Sequence, residues 1–292
     1  MSVNCYIYLV STFSSIHADW QQTLKALYPE REVSNLFRFA VEDLFGFTLA
    51  EQTVRKDAVQ PETIHSRLTE VRDRLLTGEP LQYIVGFTYF DELKLVVSPA
   101  VLIPRPETEE LVHWILGSVP AGFNGTITDW CTGSGCIALA LKYHLPEAQI
   151  SGYDLSEEAL EVARLNGKRL ELDVRLETRD ALSPGTAEEA DVIVSNPPYI
   201  PENELAVMRK NVKEFEPHMA LFVPDNQALL FYEAITEKAL HQLQPDGQLF
   251  FELHEDFAGA TKAMIEATGA FHSVEIRHDL QGKARMLRAV RK

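Results

Sequence analysis

Cysteine is scarce in this sequence. The three residues in 292, Cys5, Cys131 and Cys136, form no C-x-x-C pair and no Cys/His ligand cluster. That excludes a disulfide framework and the usual structural zinc sites, and it fits a reducing compartment, so a cytoplasmic protein that uses no metal is expected. Basic residues are also in short supply, with 27 Lys and Arg against 43 Asp and Glu for a formal net charge of −16. Nucleic-acid binding depends largely on Lys and Arg neutralising phosphates, so free DNA or RNA is an unfavourable partner. No apolar run reaches the length that a membrane-spanning helix needs, and no membrane partner is expected. The apolar start from Val3 to Phe13 has no Lys or Arg before it and no small-residue cleavage site. It reads as a docked or partly ordered end rather than a targeting signal.

The length and the 46% apolar content suit two domains. From Ser15 to Glu79 apolar residues recur at three- and four-residue spacing: Trp20, Leu24 and Leu27, then Leu36, Phe37, Ala40, Val41, Leu44 and Phe45, then Ile64, Leu68, Val71 and Leu75. This is helical periodicity, with Pro61 and Glu62 suited to the start of the last helix and Gly78 to its end. A helical bundle is expected over residues 1–80. Residues 81–104 are rich in β-branched and aromatic side chains around Asp91 and Glu92, which suggests a hairpin linker. Over 105–292 short apolar strands (Thr126 to Trp130, Gln149 to Tyr153, Asp191 to Ser195, Gln248 to Glu252) alternate with helical stretches (Ile137 to Tyr143, Ser156 to Leu170, Asn226 to Leu243). The pattern implies an α/β domain with a doubly wound, mostly parallel sheet. Ser273 to Arg277 and Arg285 to Val290, joined through Gly282, close it as an antiparallel hairpin.

The first of these strands runs into Asp129-Trp130-Cys131-Thr132-Gly133-Ser134-Gly135-Cys136. Gly133 and Gly135 allow a tight turn and a close approach of backbone to ligand. Asp154, at the end of the next strand, sits where a carboxylate reaches ribose hydroxyls. The segment from Gly133 to Ala138 also fits a dinucleotide fingerprint, so the loop alone marks a nucleoside cofactor without choosing one. Asp180, after the third strand, suits an adenine amino group or the cap of a turn.

At the end of the fourth strand stands Asn196-Pro197-Pro198-Tyr199. Ligands of open α/β sheets bind outside the carboxyl ends of the strands, so this tetrad and the glycine loop share one crevice. Two prolines fix their φ angles and remove two donors, leaving a rigid corner rich in acceptors. The Asn196 side-chain oxygen and the Pro197 carbonyl can hold the two hydrogens of a planar NH2 group, and Tyr199 offers a flat face. Such a corner suits methyl transfer from an activated sulfonium to an amide or amine nitrogen, chemistry that needs alignment rather than a metal, a covalent nucleophile or a strong base.

The tetrad, together with Leu102-Ile103-Pro104-Arg105-Pro106-Glu107-Thr108-Glu109 and Gly78-Glu79-Pro80-Leu81-Gln82-Tyr83-Ile84, resembles the HemK/PrmC family of N5-glutamine methyltransferases. The match covers roughly two thirds of the chain, and the Pro-Arg-Pro-Glu-Thr-Glu run discriminates more than the tetrad, which adenine-N6 DNA methyltransferases share. The resemblance implies a class I, Rossmann-like methyltransferase domain that uses S-adenosyl-L-methionine and releases S-adenosyl-L-homocysteine. It implies as substrate the glutamine of the Gly-Gly-Gln motif in class I peptide chain release factors. The family's cofactor contacts fall on Cys131, Thr132, Gly133, Ser134, Gly135, Asp154, Asp180 and Ala181, with Asn196 beside them. Its amide-holding residues fall on Asn196, Pro197, Pro198 and Tyr199, with Asn196, Pro197 and Tyr199 carrying the catalytic role.

This chain departs from the family pattern at Cys131 and His254, where glycines are usual, and at Ala181, where a larger aromatic can pack near the adenine. Glu214 and Glu216 resemble the release-factor subfamily and read as solvated helix residues. A ribosomal-protein glutamine methyltransferase and an adenine-N6 DNA methyltransferase share the chemistry; the latter needs a basic, aromatic recognition region that this acidic chain does not offer. An NAD-dependent oxidoreductase leaves the tetrad without a role, and a non-catalytic binding module is the remaining reading.

Overall fold

The computed structural model describes residues 11–185, 188–206 and 208–292, so Cys5 and residues 3–10 of the apolar start lie outside the described residues. The chain divides into two compact units, residues 1–86 and 87–292.

The first unit is helical: α1 (Phe13–Leu24), α2 (Glu30–Phe45), α3 (Leu49–Val54), α4 (Glu62–Thr77) and α5 (Leu81–Val85). The stripe Ile64, Leu68, Val71 and Leu75 is the buried face of α4, and Trp20 packs edge-on against Phe37 with ring centroids 5.2 Å apart. Leu27 is exposed, because α1 ends at Leu24 before the stripe reaches it. The aromatic and β-branched run from Leu81 begins as a helix rather than a strand. Leu81 and Ile84, three residues apart, share a face that packs into the helical core, and Gly86 ends the turn at φ 86°.

Thr48 and Glu51 cap α3 reciprocally. Glu51 N donates to Thr48 Oγ1 at 3.4 Å, and Thr48 N donates to Glu51 Oε2 at 2.9 Å. Thr48→Ala is expected to lower the unfolding free energy by about 1 kcal/mol, read from the denaturant midpoint of this unit.

The second unit starts with a hairpin, β1 (Phe87–Phe90) and β2 (Leu93–Val96), followed by α6 (Pro106–Leu116), which has proline in its first turn. Then come β3 (Thr126–Trp130), α7 (Cys136–His144), β4 (Gln149–Asp154), α8 (Glu157–Leu170), β5 (Arg175–Thr178) and β6 (Ala190–Ser195). The chain continues through β7 (Ile200–Pro201), α9 (Lys210–Phe215), β8 (Phe222–Val223), α10 (Leu230–Gln242), β9 (Leu243–Glu252), α11 (Ala258–Ala267), β10 (Phe271–His278) and β11 (Ala284–Arg291). Among the described residues, seven strands form one sheet in the order β10-β11-β9-β6-β3-β4-β5, parallel except where β11 joins β9 and β10 antiparallel.

Along β6, Val192 and Val194 face one core and Ile193 the other, so this central strand is covered on both sides. The strand expected at Gln248 begins earlier, at Leu243, and passes through an irregularity in register where Asp246 takes φ 64°. No helix among the described residues is long and apolar enough to cross a membrane.

The connections fix where a ligand can sit. From β3 the chain crosses to β4 on one side of the sheet, whereas from β6, β3's other neighbour, it crosses to β9. A crevice therefore opens outside the carboxyl ends of β3 and β6, the switch point of a doubly wound sheet.

Candidate functional site

That crevice is a cleft of about 1090 Å³, its open mouth included. It is lined by Cys131, Thr132, Gly133 and Ser134 after β3, Asp154 after β4, Asp180 and Ala181 after β5, and Asn196 and Pro198 after β6. Gly135, Pro197 and Tyr199 do not line it; they form the turn and the corner behind the lining residues.

The loop after β3 turns by left-handed backbone at Cys131 (φ 61°), Gly133 (φ 55°) and Gly135 (φ 79°). At Cys131 this conformation would suit glycine better, since a side chain in this region carries a steric penalty of roughly 1–2 kcal/mol. At Gly135 an added Cβ would press on Ala163 Cβ at 3.1 Å, whereas at Gly133 it would meet nothing within 4 Å, so the loop is packed behind and open in front. Asp154 holds the turn with both carboxylate oxygens: Oδ2 accepts from Gly133 N at 2.8 Å and Oδ1 from Ser156 N at 2.9 Å. Burial pushes its carboxyl above the ordinary range, against these two amide hydrogen bonds. Each oxygen keeps further acceptor capacity toward the cleft.

Beneath the loop, Asp129 is fully buried and accepts from the Thr132 hydroxyl at 2.6 Å. Burial pushes the Asp129 carboxyl up to about 7 against that hydrogen bond, and the Asp154 charge adds to the rise. In the unfolded chain an aspartate titrates near 4. Between these values the folded state holds a proton that the unfolded state releases. Stability is therefore fullest at the acid end of the window and falls as the pH rises through about 7. Asp129→Asn keeps an acceptor for Thr132 without the charge and is expected to flatten this slope, measured as denaturant midpoints at stepped pH. The neighbouring thiols are not nucleophiles in waiting: burial pushes Cys136 up to about 12 and Cys131 up as well.

Asp180 is a turn residue that also reaches the cleft. Its oxygens accept from Leu182 N and the Ser183 hydroxyl, each at 2.8 Å. Ala181 leaves the wall beside it thin, and Phe231 of α10 supplies an aromatic ring to the same cleft. Nothing in the sequence spacing marked Phe231.

The corner after β6 rests on two groups to which the sequence assigned no role, Thr108 and Glu252. Asn196 Nδ2 donates to Thr108 Oγ1 at 3.3 Å, the Thr108 hydroxyl donates to Glu252 Oε2 at 2.6 Å, and the Tyr199 phenol donates to Glu252 Oε1 at 3.1 Å. Burial pushes the Glu252 carboxyl up, while the Thr108 and Tyr199 hydroxyls and the Arg285 cation hold it down. Burial and the Glu252 charge both push the Tyr199 phenol up. His254 packs edge-on to Tyr199, with centroids 5.9 Å apart, and its Nδ1 accepts from Asp256 N, so it backs the corner without lining the cleft.

Glu216 corrects an expectation. It is 3% exposed rather than solvated, because Arg105 Nη2 lies 2.6 Å from its Oε1 and Ile103 N donates to its Oε2 at 3.4 Å. The pair joins the Leu102–Arg105 rim to the turn bearing Pro217, Met219 and Ala220, all of which line the cleft. Among the described residues, no group of three or more His, Cys, Asp or Glu side chains is placed to hold a metal ion.

Comparison with known proteins adds names to this geometry. A family model described as "Methyltransferase small domain" matches residues 111–218, and one described as "PrmC N-terminal domain" matches residues 16–86. The chain is 38% identical to a release factor glutamine methyltransferase of Bacteroides thetaiotaomicron, over 93% of this chain and 97% of that one. It is 36% identical to a release factor glutamine methyltransferase of Flavobacterium psychrophilum, over 91% and 95% respectively. A crystal structure of a methyltransferase from Pyrococcus furiosus shares the fold, with TM-score 0.50 and 18% identity over 79% of this chain and 98% of that one.

Proposed function

The chain belongs to the release factor glutamine methyltransferase family, and from that premise we propose that it methylates the side-chain amide N5 of the glutamine in the Gly-Gly-Gln motif of class I peptide chain release factors. The observation that carries the reading is the Asn196 side chain, at the edge of the cleft with its NH2 end held by Thr108 and its oxygen left for a ligand. S-adenosyl-L-methionine, when bound, supplies a methyl group on a sulfonium and leaves as S-adenosyl-L-homocysteine. The residues present fit it. Asp154 has two oxygens for vicinal hydroxyls, the loop Cys131–Gly135 gives close backbone approach, and Ala181, Asp180 and Phe231 form the wall for the base.

The acceptor is a poor nucleophile because its lone pair is delocalised over the amide. Asn196 Oδ1 takes one of its hydrogens and the Pro197 carbonyl, in the corner behind, the other; the Pro198 face restricts its tilt and Tyr199 backs the corner, so the nitrogen points along the line of transfer. Alignment of this kind can supply roughly 7–11 kcal/mol of a barrier. The nitrogen–carbon bond forms as the sulfur–carbon bond breaks, and the surplus amide proton leaves to solvent. No metal is needed because the leaving group already carries the activation. Every residue in these roles lies within 105–292, to which we assign the transferase chemistry. A translation factor as substrate suits a cytoplasmic setting. The test is formation of S-adenosylhomocysteine with a Gly-Gly-Gln-bearing release-factor domain, expected with the native domain and lost when its glutamine is replaced by glutamate.

A further inference from the structure

The carboxylate at the end of β9 has no part in the transfer just described, yet it is among the best-satisfied buried groups of the unit. Glu252 is 2% exposed, and each of its oxygens accepts a hydroxyl, Thr108 on one side and Tyr199 on the other. Thr108, also 2% exposed, sits in the first turn of α6 and touches Asn196 with the same oxygen that donates to Glu252. A threonine hydroxyl has a single proton. With that proton committed at 2.6 Å to Glu252, the Thr108 oxygen can only accept from Asn196.

This matters because the two ends of an asparagine side chain are nearly the same size and its terminal torsion is soft, so shape alone does not choose between them. Turned the wrong way, Asn196 would set its own NH2 against the NH2 of an incoming amide, donor facing donor. We infer that Thr108 and Glu252 are positioning residues, a relay that orients the Asn196 carboxamide with its oxygen toward the substrate nitrogen. The inference rests on the proposed function, which requires an acceptor at that point. The same carboxyl group holds Tyr199, so one buried side chain keeps both ends of the tetrad in register with the start of α6.

Thr108→Val keeps the shape and removes the hydroxyl; Thr108→Ser keeps the hydroxyl and loses a methyl. With S-adenosylmethionine and a Gly-Gly-Gln-bearing release-factor domain, Thr108→Val is expected to lower kcat roughly 10- to 100-fold with the cofactor Kd unchanged. Thr108→Ser is expected to recover most of that loss. A purely structural role gives the opposite order, since valine fills the site and serine does not. Wild-type kcat in Thr108→Val, a loss in Thr108→Ser as large as in Thr108→Val, or a loss of cofactor binding that accounts for the lower rate overturns the relay. Asn196→Ala separates the two levels. If it is inactive while Thr108→Val is fully active, only the relay fails; if it too keeps wild-type turnover, the amide-holding reading beneath it fails.

Discussion

Asn196→Ala is expected to reduce kcat for glutamine methylation by about 10²- to 10³-fold, the scale seen when one preorganised polar contact to a reacting group is removed. On the proposed reading the substitution deletes the acceptor for one amide hydrogen and leaves the other on the Pro197 carbonyl alone, so the nitrogen is free to rotate away from the line of transfer. The effect belongs to kcat more than to binding. On the same reading the cofactor's main contacts are the loop after β3 and Asp154, which the substitution leaves in place. Titration calorimetry with S-adenosylmethionine is therefore expected to give the wild-type Kd while single-turnover rates fall. Alanine also leaves the Thr108 hydroxyl without its donor, but that hydroxyl stays bonded to Glu252, so the fold is expected to stand.

Asp154→Ala is expected to act in the reverse order, weakening cofactor binding by about 100-fold before any effect on the chemical step. Two hydrogen bonds from ribose hydroxyls to a carboxylate contribute roughly 1.5–3 kcal/mol each, and about 1.4 kcal/mol is a factor of ten in Kd. Part of that is offset because burial disfavours the charge of Asp154 in the free protein. The substitution also releases Gly133 N and Ser156 N, which the carboxylate now holds. Asp154→Asn, which keeps an acceptor, is expected to lose less. Calorimetry at saturating and sub-saturating cofactor, beside kcat at saturation, separates the two terms.

Much of this architecture is legible in the sequence, and the reason is periodicity. The α4 stripe from Ile64 to Leu75 and the strand Thr126–Trp130 lie where their spacing puts them, because one buried face is a local property of the chain. The glycine loop and the tetrad are legible for a related reason, since each is a short run whose backbone chemistry is written in consecutive residues. The relay beneath the tetrad is not. Thr108 lies 88 residues from Asn196 and Glu252 144 from Thr108, and only the pairing of β6 with β9 and the packing of α6 against β9 bring them together. Glu252 by itself is the polar end of a strand, with no pattern to mark it. Glu216 misleads in the same way: two residues after Glu214, at the end of a short helix, it suggests solvent, and the distant Ile103 amide and Arg105 guanidinium account for its burial. Leu81 to Val85 shows the converse, a run of strand-forming residues drawn into a helix because Leu81 and Ile84 complete a neighbouring core.

The most direct test of the central claim is to locate the transferred group. The protein is incubated with S-adenosylmethionine bearing a trideuterated methyl and a release-factor domain containing Gly-Gly-Gln, and the product is digested and fragmented by mass spectrometry. The account predicts the label on the side chain of that glutamine and on no other residue. A label on a different residue, or none on the domain while the cofactor binds, would contradict it.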